Sequence, residues 1–263
     1  MIGLHEHVSH SGTAALLAPV VLAFLPAAGY VWAARRLHRR GDAWPGWRIT
    51  SFVAGALAVG AAVAVQLPGG EFTAHMAQHL VIGMLAPVLI VLARPVTLAL
   101  RVLPRRPRRA LLRVLHSRWT SWSISLPLVA LLESGGLWIL YRTPLFASTQ
   151  EHPWLHALVH THVLVTGLLF TFAICQLDPV RRRHTLVPRA ATLVLAGAAH
   201  AVLAKSLYAA PPPGTQFSPA DLAAGAKLMY YGGDIVEIAL ATVLALQWYR
   251  AEGRALRPAP RRA

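Results

Sequence analysis

Read along its length, the chain alternates long apolar blocks with short polar connections. The blocks occupy residues 14–34, 49–67, 72–93, 122–141, 153–177, 190–208 and 222–249. About 20 predominantly apolar residues cross a hydrocarbon core of roughly 30 Å, so each block is long enough for one passage. A helix satisfies its own backbone groups in lipid and an open sheet edge does not. The residue-by-residue alternation of barrel strands is absent. The pattern therefore predicts an all-α polytopic membrane protein, a seven-transmembrane-helix bundle. A His-containing segment at 1–13 precedes the transmembrane domain at 14–249, and a basic tail follows at 250–263. Pro19, Pro26, Pro87 and Pro127 fall inside blocks, where membrane helices accommodate them by kinking.

Charge adds a direction to this picture. All but three of the 25 Lys and Arg residues lie in alternate connections and in the tail. The first connection holds Arg35, Arg36, Arg39, Arg40 and Arg48. The third runs from Arg94 to Arg118, the fifth from Arg181 to Arg189, and the tail begins at Arg250. The positive-inside bias puts these segments in the cytoplasm, so the N-terminus is expected outside and the C-terminus cytoplasmic. A net charge of +15 would also suit a nucleic-acid binder. Here the arginines sit between apolar blocks instead of on one face of a soluble domain, so no nucleic-acid partner is expected and the lipid bilayer is. Only 13% of residues are charged and 56% are apolar, against about 25% charged in a soluble domain. The single Cys175 rules out an internal disulfide framework and any CxxC chemistry. The segment before the first block carries no Lys or Arg, so that block reads as a retained helix and not as a cleaved signal.

The 13 histidines follow a different distribution. Only His38, His116 and His184 fall in the arginine-rich segments. His5, His7, His10, His75, His79, His152, His156, His160, His162 and His200 lie outside or in the outer half of the spans. Ionisable groups in a bilayer are costly and point to function. His75 and His79 are four apart and share a helix face, as do His152, His156 and His160. His200 lies about eight residues before the outer end of its span, roughly 12 Å deep at 1.5 Å per residue. Counting in the same way puts His79, Glu133, His160, His200 and Asp234 in one layer, with Glu237 about a turn deeper. Imidazoles suit copper, zinc, iron and nickel, and thioethers such as Met76 favour Cu(I). Glu133 and Asp234 would orient ligands or balance charge. Lys205 would snorkel outward or pair with one of these carboxylates. His162 points off the histidine stripe and reads as structural. Trp122, Tyr141, Trp154, Tyr208 and Trp248, at block ends, read as interfacial anchors. Met84 reads as a gap filler.

The motifs themselves carry a likeness. His75, Met76, Gln78 and His79 are followed by Pro87, Arg94 and Pro95. Later come Trp154, His156, His160 and His162, then His200 and Lys205, then Met229 through Gly233 and Asp234. From the second span to the seventh this resembles the multi-span CtaG-like cytochrome c oxidase assembly factors of bacteria. The family pattern continues after the glycines with an Asp-Gln type sequence, where this chain has Asp234 and then Glu237. The resemblance implies a multi-pass protein of the bacterial plasma membrane that helps to mature a heme-copper oxidase and handles copper on its outer face.

The expectation is an assembly factor without catalytic turnover, with a cytochrome c oxidase subunit in the same membrane as partner and copper as the metal. His75, His79, His160 and His200 are the expected ligands, with His156 and Met76 auxiliary. Glu133, Asp234, Glu237 and Lys205 are expected as charge partners. The alternatives are a copper permease, disfavoured by the apolar stretch below Glu237, and a membrane protein that holds heme b between two histidines.

Overall fold

The computed structural model describes residues 8–65 and 68–255; side chains are described for 21, 23–65 and 68–253. Every regular element among the described residues is helical. In chain order these are α1 (Val8–His38), α2 (Gly46–Ala64) and α3 (Glu71–His79). A π-helical segment π1 (Leu80–Leu85) joins α3 to α4 (Ala86–Leu92) without a break. Then come α5 (Pro95–Val102), α6 (Arg105–Leu115), α7 (Arg118–Ser123) and α8 (Leu126–Ala130). A second π segment, π2 (Leu131–Gly135), leads into α9 (Gly136–Arg142). The rest are α10 (Leu145–Glu151), α11 (Pro153–Cys175), α12 (Leu186–Ala209) and α13 (Pro219–Ala255).

Five helices are long and apolar enough to cross a membrane: Gly46–Ala64, Glu71–Leu92, Pro153–Cys175, Leu186–Ala209 and Pro219–Gly253. They match five of the seven expected blocks. The first block lies within α1. The fourth differs, because residues 122–125 do not join the helix that starts at Leu126. Ser117 caps α7, its hydroxyl accepting from the Thr120 amide at 3.1 Å, and Pro127 stands in the first turn of α8. Pro127 has no N–H to give to a preceding turn, so it favours a fresh start there over continuation of α7.

Small residues set the helix contacts. In lipid there is little hydrophobic drive between helices, and close backbone approach supplies the attraction. Ala23, Ala27, Tyr30, Ala34 and Leu37 form the buried stripe of α1. A methyl group added at Gly60 of α2 would come within 2.8 Å of the Ala23 side chain. The outward faces stay apolar: Val194, Leu195, Ile235 and Ile238 are exposed on α12 and α13. Exposed apolar area on this scale suits a lipid environment.

Two aspartates lock the elements in register. Asp221, at the start of α13, accepts from the Phe72 and Thr73 amides at 2.9 and 3.0 Å and from the Thr73 hydroxyl at 2.6 Å. It thereby caps α3 from another helix, satisfying donors that a helix start leaves free. Asp178, in the α11–α12 connection, does the same for α5 through the Val96 and Thr97 amides and the Thr97 hydroxyl. Burial raises the Asp178 carboxyl from its ordinary value, and the Thr97 and Val96 donors pull it back.

Candidate functional site

Because Asp221 fixes the first turn of α3, it also fixes the depth of His75 and His79, one and two turns further on. The π segment follows His79 at once. Pro87 has no N–H to offer the Gly83 carbonyl four residues earlier. That carbonyl is the atom a Cβ at Gly167 of α11 would strike. Gly167 thus lets α11 close on π1, which brings the α11 histidines against α3. Single-turn π segments recur at functional sites, and here π1 follows one site residue while π2 contains another, Glu133.

The imidazoles gather into an outer and an inner group. In the outer group His156 and His160 have ring centres 4.2 Å apart; His75 lies 5.9 Å from His160 and 6.5 Å from His156. The Nδ1 of His160 donates to the His156 carbonyl at 3.0 Å, leaving Nε2 with a free lone pair. Ligating histidines commonly have this arrangement, in which the second ring nitrogen is tied to a carbonyl or carboxylate. The Nε2 of His75 is paired with the Tyr141 hydroxyl at 2.9 Å. A small cavity of about 10 Å³ is lined by His75, His79, Tyr141 and His160.

The inner group starts at His79, which is 3% exposed and has no hydrogen-bond partner on either ring nitrogen. Its ring centre lies 6.2 Å from that of His200, and the planes are tilted by only 31°. The Nδ1 of His200 faces Glu237 at 3.7 Å, while its Nε2 is buried without a partner. Two glycines make this possible. The His200 ring occupies the space a side chain at Gly233 would need, and the Glu237 carboxylate occupies that of Gly197. A cavity of about 30 Å³ opens beside them, lined by Met84, Glu133, Ser134, His200 and Glu237 among others. That is room for about one water or one ion. The Glu133 Oε2 is also buried and unpartnered.

An imidazole bound at about 2 Å puts its ring centre about 3 Å from a metal, so two rings on opposite sides of one ion stand about 6 Å apart. The His75–His160 and His79–His200 separations are both of this size. Among the described residues, however, no group of three or more His, Cys, Asp or Glu side chains stands in ready-made metal-binding geometry. The donor chemistry fits an ion held by two imidazoles more readily than a closed structural site.

The remaining candidates fall in other places. Met76 is fully buried in the apolar cluster with Phe72, Leu137, Leu203 and Met229. Asp234 is half-buried one turn before Glu237, and Glu237 is the carboxylate that meets His200. Depth counting ranks residues along a helix but does not say which carboxylate the neighbouring helix will face. Lys205 is exposed, with its Nζ 5.2 Å from the Tyr230 ring centre, in a cleft with Tyr208 and Lys227. Its partner is an aromatic face instead of Glu133 or Asp234. His152 is exposed at the head of α11, and His162 is exposed on its outward side. His5 and His7 lie outside the described residues, as does the side chain of His10.

Tyr141 departs from the reading as an interfacial anchor. It is fully buried, holds His75 and meets the His79 ring edge-on at 6.3 Å between centres. Its position at a block end concealed this, because α10 folds back over that end and buries Tyr141 against Phe146. Met84 likewise lines the inner cavity. No periodicity marks it, since π1 shifts the face on which it lies.

Helices of membrane-crossing length that enclose buried, partly unpartnered histidines and carboxylates define a polytopic helical membrane protein with a polar interior. The chain matches the model of the cytochrome c oxidase caa3 assembly factor family over residues 28–251, and it belongs to that family, Caa3_CtaG. It is 42% identical over 177 residues to an uncharacterized protein of Mycobacterium bovis, and equally to one of Mycobacterium tuberculosis. These alignments cover 63% of this chain and 26% of the relative. An uncharacterized protein of Mycobacterium leprae is 36% identical over 172 residues, covering 61% of this chain and 26% of its own length. The chain thus spans about a quarter of the curated relatives it matches. No solved structure matches it.

Proposed function

We propose that this assembly factor carries copper in the outer half of a seven-crossing bundle and passes it to the oxidase subunit that needs it. The observation that carries the reading is His79, a buried imidazole with both nitrogens unpartnered, set between His200 and the His75, His156 and His160 group. Burying a polar group without a partner costs about 1–3 kcal/mol. A site that retains that cost at His79, His200 and Glu133 together is one whose partner arrives from outside the chain.

In this reading α1 and the helix from Leu126 to Arg142 add two crossings to the five long helices. The N-terminus faces outward and the tail faces the cytoplasm of a bacterial plasma membrane. The support is chemical polarity along the chain. The α11 helix begins among His152, His156 and His160, and Arg181, Arg182 and Arg183 follow its other end. His156 and His75, each about one turn into its helix, receive the ion. His160 and His79, one turn further along α11 and α3, form the next step inward. His200, backed by Glu237, is the innermost imidazole, and Met84 offers a thioether beside it. Cu(I) tolerates such mixed nitrogen and sulfur surroundings. Cargo shared among pairs of imidazoles leaves more readily than cargo in a closed three- or four-ligand cage. Transfer exchanges copper–ligand bonds in this chain for copper–ligand bonds in the client and makes no covalent change in either protein, so the activity is binding and transfer.

The test is metal content by mass spectrometry on detergent-purified protein loaded with Cu(I) under reductant. Near-stoichiometric copper is expected in the wild type, with more than tenfold loss in His79→Ala and in His160→Ala. An empty wild type would end the copper reading and leave the histidines as a packing network.

A further inference from the structure

The inner cavity has a second neighbour on its lipid side. A groove of about 650 Å³ runs between the π2–α9 segment and α11, lined almost wholly by apolar atoms, with Leu131, Gly136, Leu158, Glu133 and His162 among its walls. Glu133 lines both this groove and the cavity that holds His200 and Glu237. It is the shared wall between the buried chamber and the outward surface.

His162 makes this face unusual. It is the tenth residue of the 23-residue α11, about 13.5 Å along its axis at 1.5 Å per residue. That is about half of a 30 Å hydrocarbon core. At this depth it is exposed on the outside of the bundle. An ionisable side chain that faces lipid at mid-depth is expensive and is ordinarily turned inward or paired. Here the ring lies over Gly136, where an added methyl group would come within 2.7 Å of its Nε2. Gly135, beside it, has only its own helix neighbour Leu131 within contact distance, so the surface there is open. Adjacent small residues with an exposed polar group are what a close helix–helix contact in a membrane uses.

We infer that this groove receives one transmembrane helix of the client oxidase, which covers His162 at mid-depth and meets Glu133 at the chamber wall. A lipid chain fills apolar volume but offers nothing to a histidine or a buried carboxylate. A helix that presents a hydrogen-bonding or metal-binding side chain satisfies both and reaches the cargo through the wall that Glu133 forms. The inference rests on the copper-delivery reading and gives that delivery a lateral exit.

The experiment places a photoactivatable benzophenone residue at Leu158, in the groove, and at Val194, exposed on α12 outside it, in membranes where the oxidase is being assembled. An adduct from position 158 that contains an oxidase subunit, identified by mass spectrometry and at least tenfold above the yield from position 194, is the expected result. Adducts only with lipid, only with a second copy of the chain, or in equal yield from both positions would overturn the inference. His162→Leu should lower that adduct and mature oxidase at least tenfold while the purified protein keeps its copper. The crosslink needs no change at His162, so it decides the question even if the leucine variant does not accumulate. Copper absent from the wild type with the crosslink present would remove the delivery reading alone. Copper present with no oxidase adduct would remove the groove alone.

Discussion

The two ends of this bundle bury polar groups in opposite ways. At the end that leads into the Arg181–Arg183 segment, Arg189 is 7% exposed and its guanidinium is engaged through Nε and Nη1. It donates to the carbonyls of Thr185, Ile174 and Cys175 and to the side chain of Gln247, which donates in turn to Cys175 at 2.7 Å. Asp178, in the α11–α12 connection, caps α5. At the histidine end several atoms as deeply buried have no partner. Among the described residues, four of the five buried side-chain atoms without a hydrogen-bond partner are two on His79 and one each on His200 and Glu133. The fifth is Nε of Arg48, whose guanidinium lies over Trp44 and Trp47. Satisfied networks hold a fold, and unsatisfied ones store capacity to bind, since the missing partner is then a ligand. On the proposed reading, one end is a clasp and the other a receptor.

This contrast is tested most severely by removing Arg189. Arg189→Ala strips charged donors from three carbonyls and from Gln247, and should cost about 3 kcal/mol of stability, read by thermal unfolding in detergent. The folded fraction should bind copper like the wild type. Loss of copper at full stability would mean that the two ends are not separate. Next comes Gly167→Ala, which drives a methyl group into the Gly83 carbonyl. Backbone cannot step aside as a side chain can, so overpacking here should cost about 2 kcal/mol. Because π1 positions His79 against α11, copper affinity should fall along with stability, in contrast to Arg189→Ala. Third is His79→Leu. Replacing an unpartnered buried imidazole by an apolar group of similar size should raise stability by about 1 kcal/mol, while copper binding disappears. A clear drop in stability would show that His79 is a structural member of the core.

The sequence carried some of this plainly and concealed the rest. Apolar block length fixed where α2, the α3–π1–α4 helix, α11, α12 and α13 lie, because lipid crossing imposes a length that any reading can count. The i, i+4 spacing of His75 with His79 and of His156 with His160 likewise survives, since helix periodicity alone puts each pair on one face. What depends on two helices at once was not legible. Glu237 meets His200 because Gly197 and Gly233 interlock across α12 and α13. The start of the fourth helix at Leu126 reflects the separate capping of α7 by Ser117. The π1 segment comes just before Pro87 and π2 lies between α8 and α9, and they turn Met84 and Glu133 onto faces that a regular helix would not give. Tyr141 was concealed by its position at a block end.

Tyr141 also supplies the finest test of the boundary between clasp and receptor, for its hydroxyl is the one partner the outer histidines take from another helix. If it serves to hold His75, Tyr141→Phe keeps the buried ring and removes only one hydrogen bond, a loss of about 0.5–1 kcal/mol. Copper should then stay at the wild-type ratio, because the pairing that removal frees is on His75 Nε2 and adds a lone pair to the site. The affinity should hold or rise. A fall in bound copper to the level of His160→Ala would instead make the phenol oxygen a ligand, and would move Tyr141 from the scaffold to the receptor. Competitive titration of purified Tyr141→Phe and His160→Ala against a Cu(I) chelator separates the two: a copper ratio more than tenfold higher in Tyr141→Phe keeps the phenol in the scaffold, and equal loss makes it a ligand.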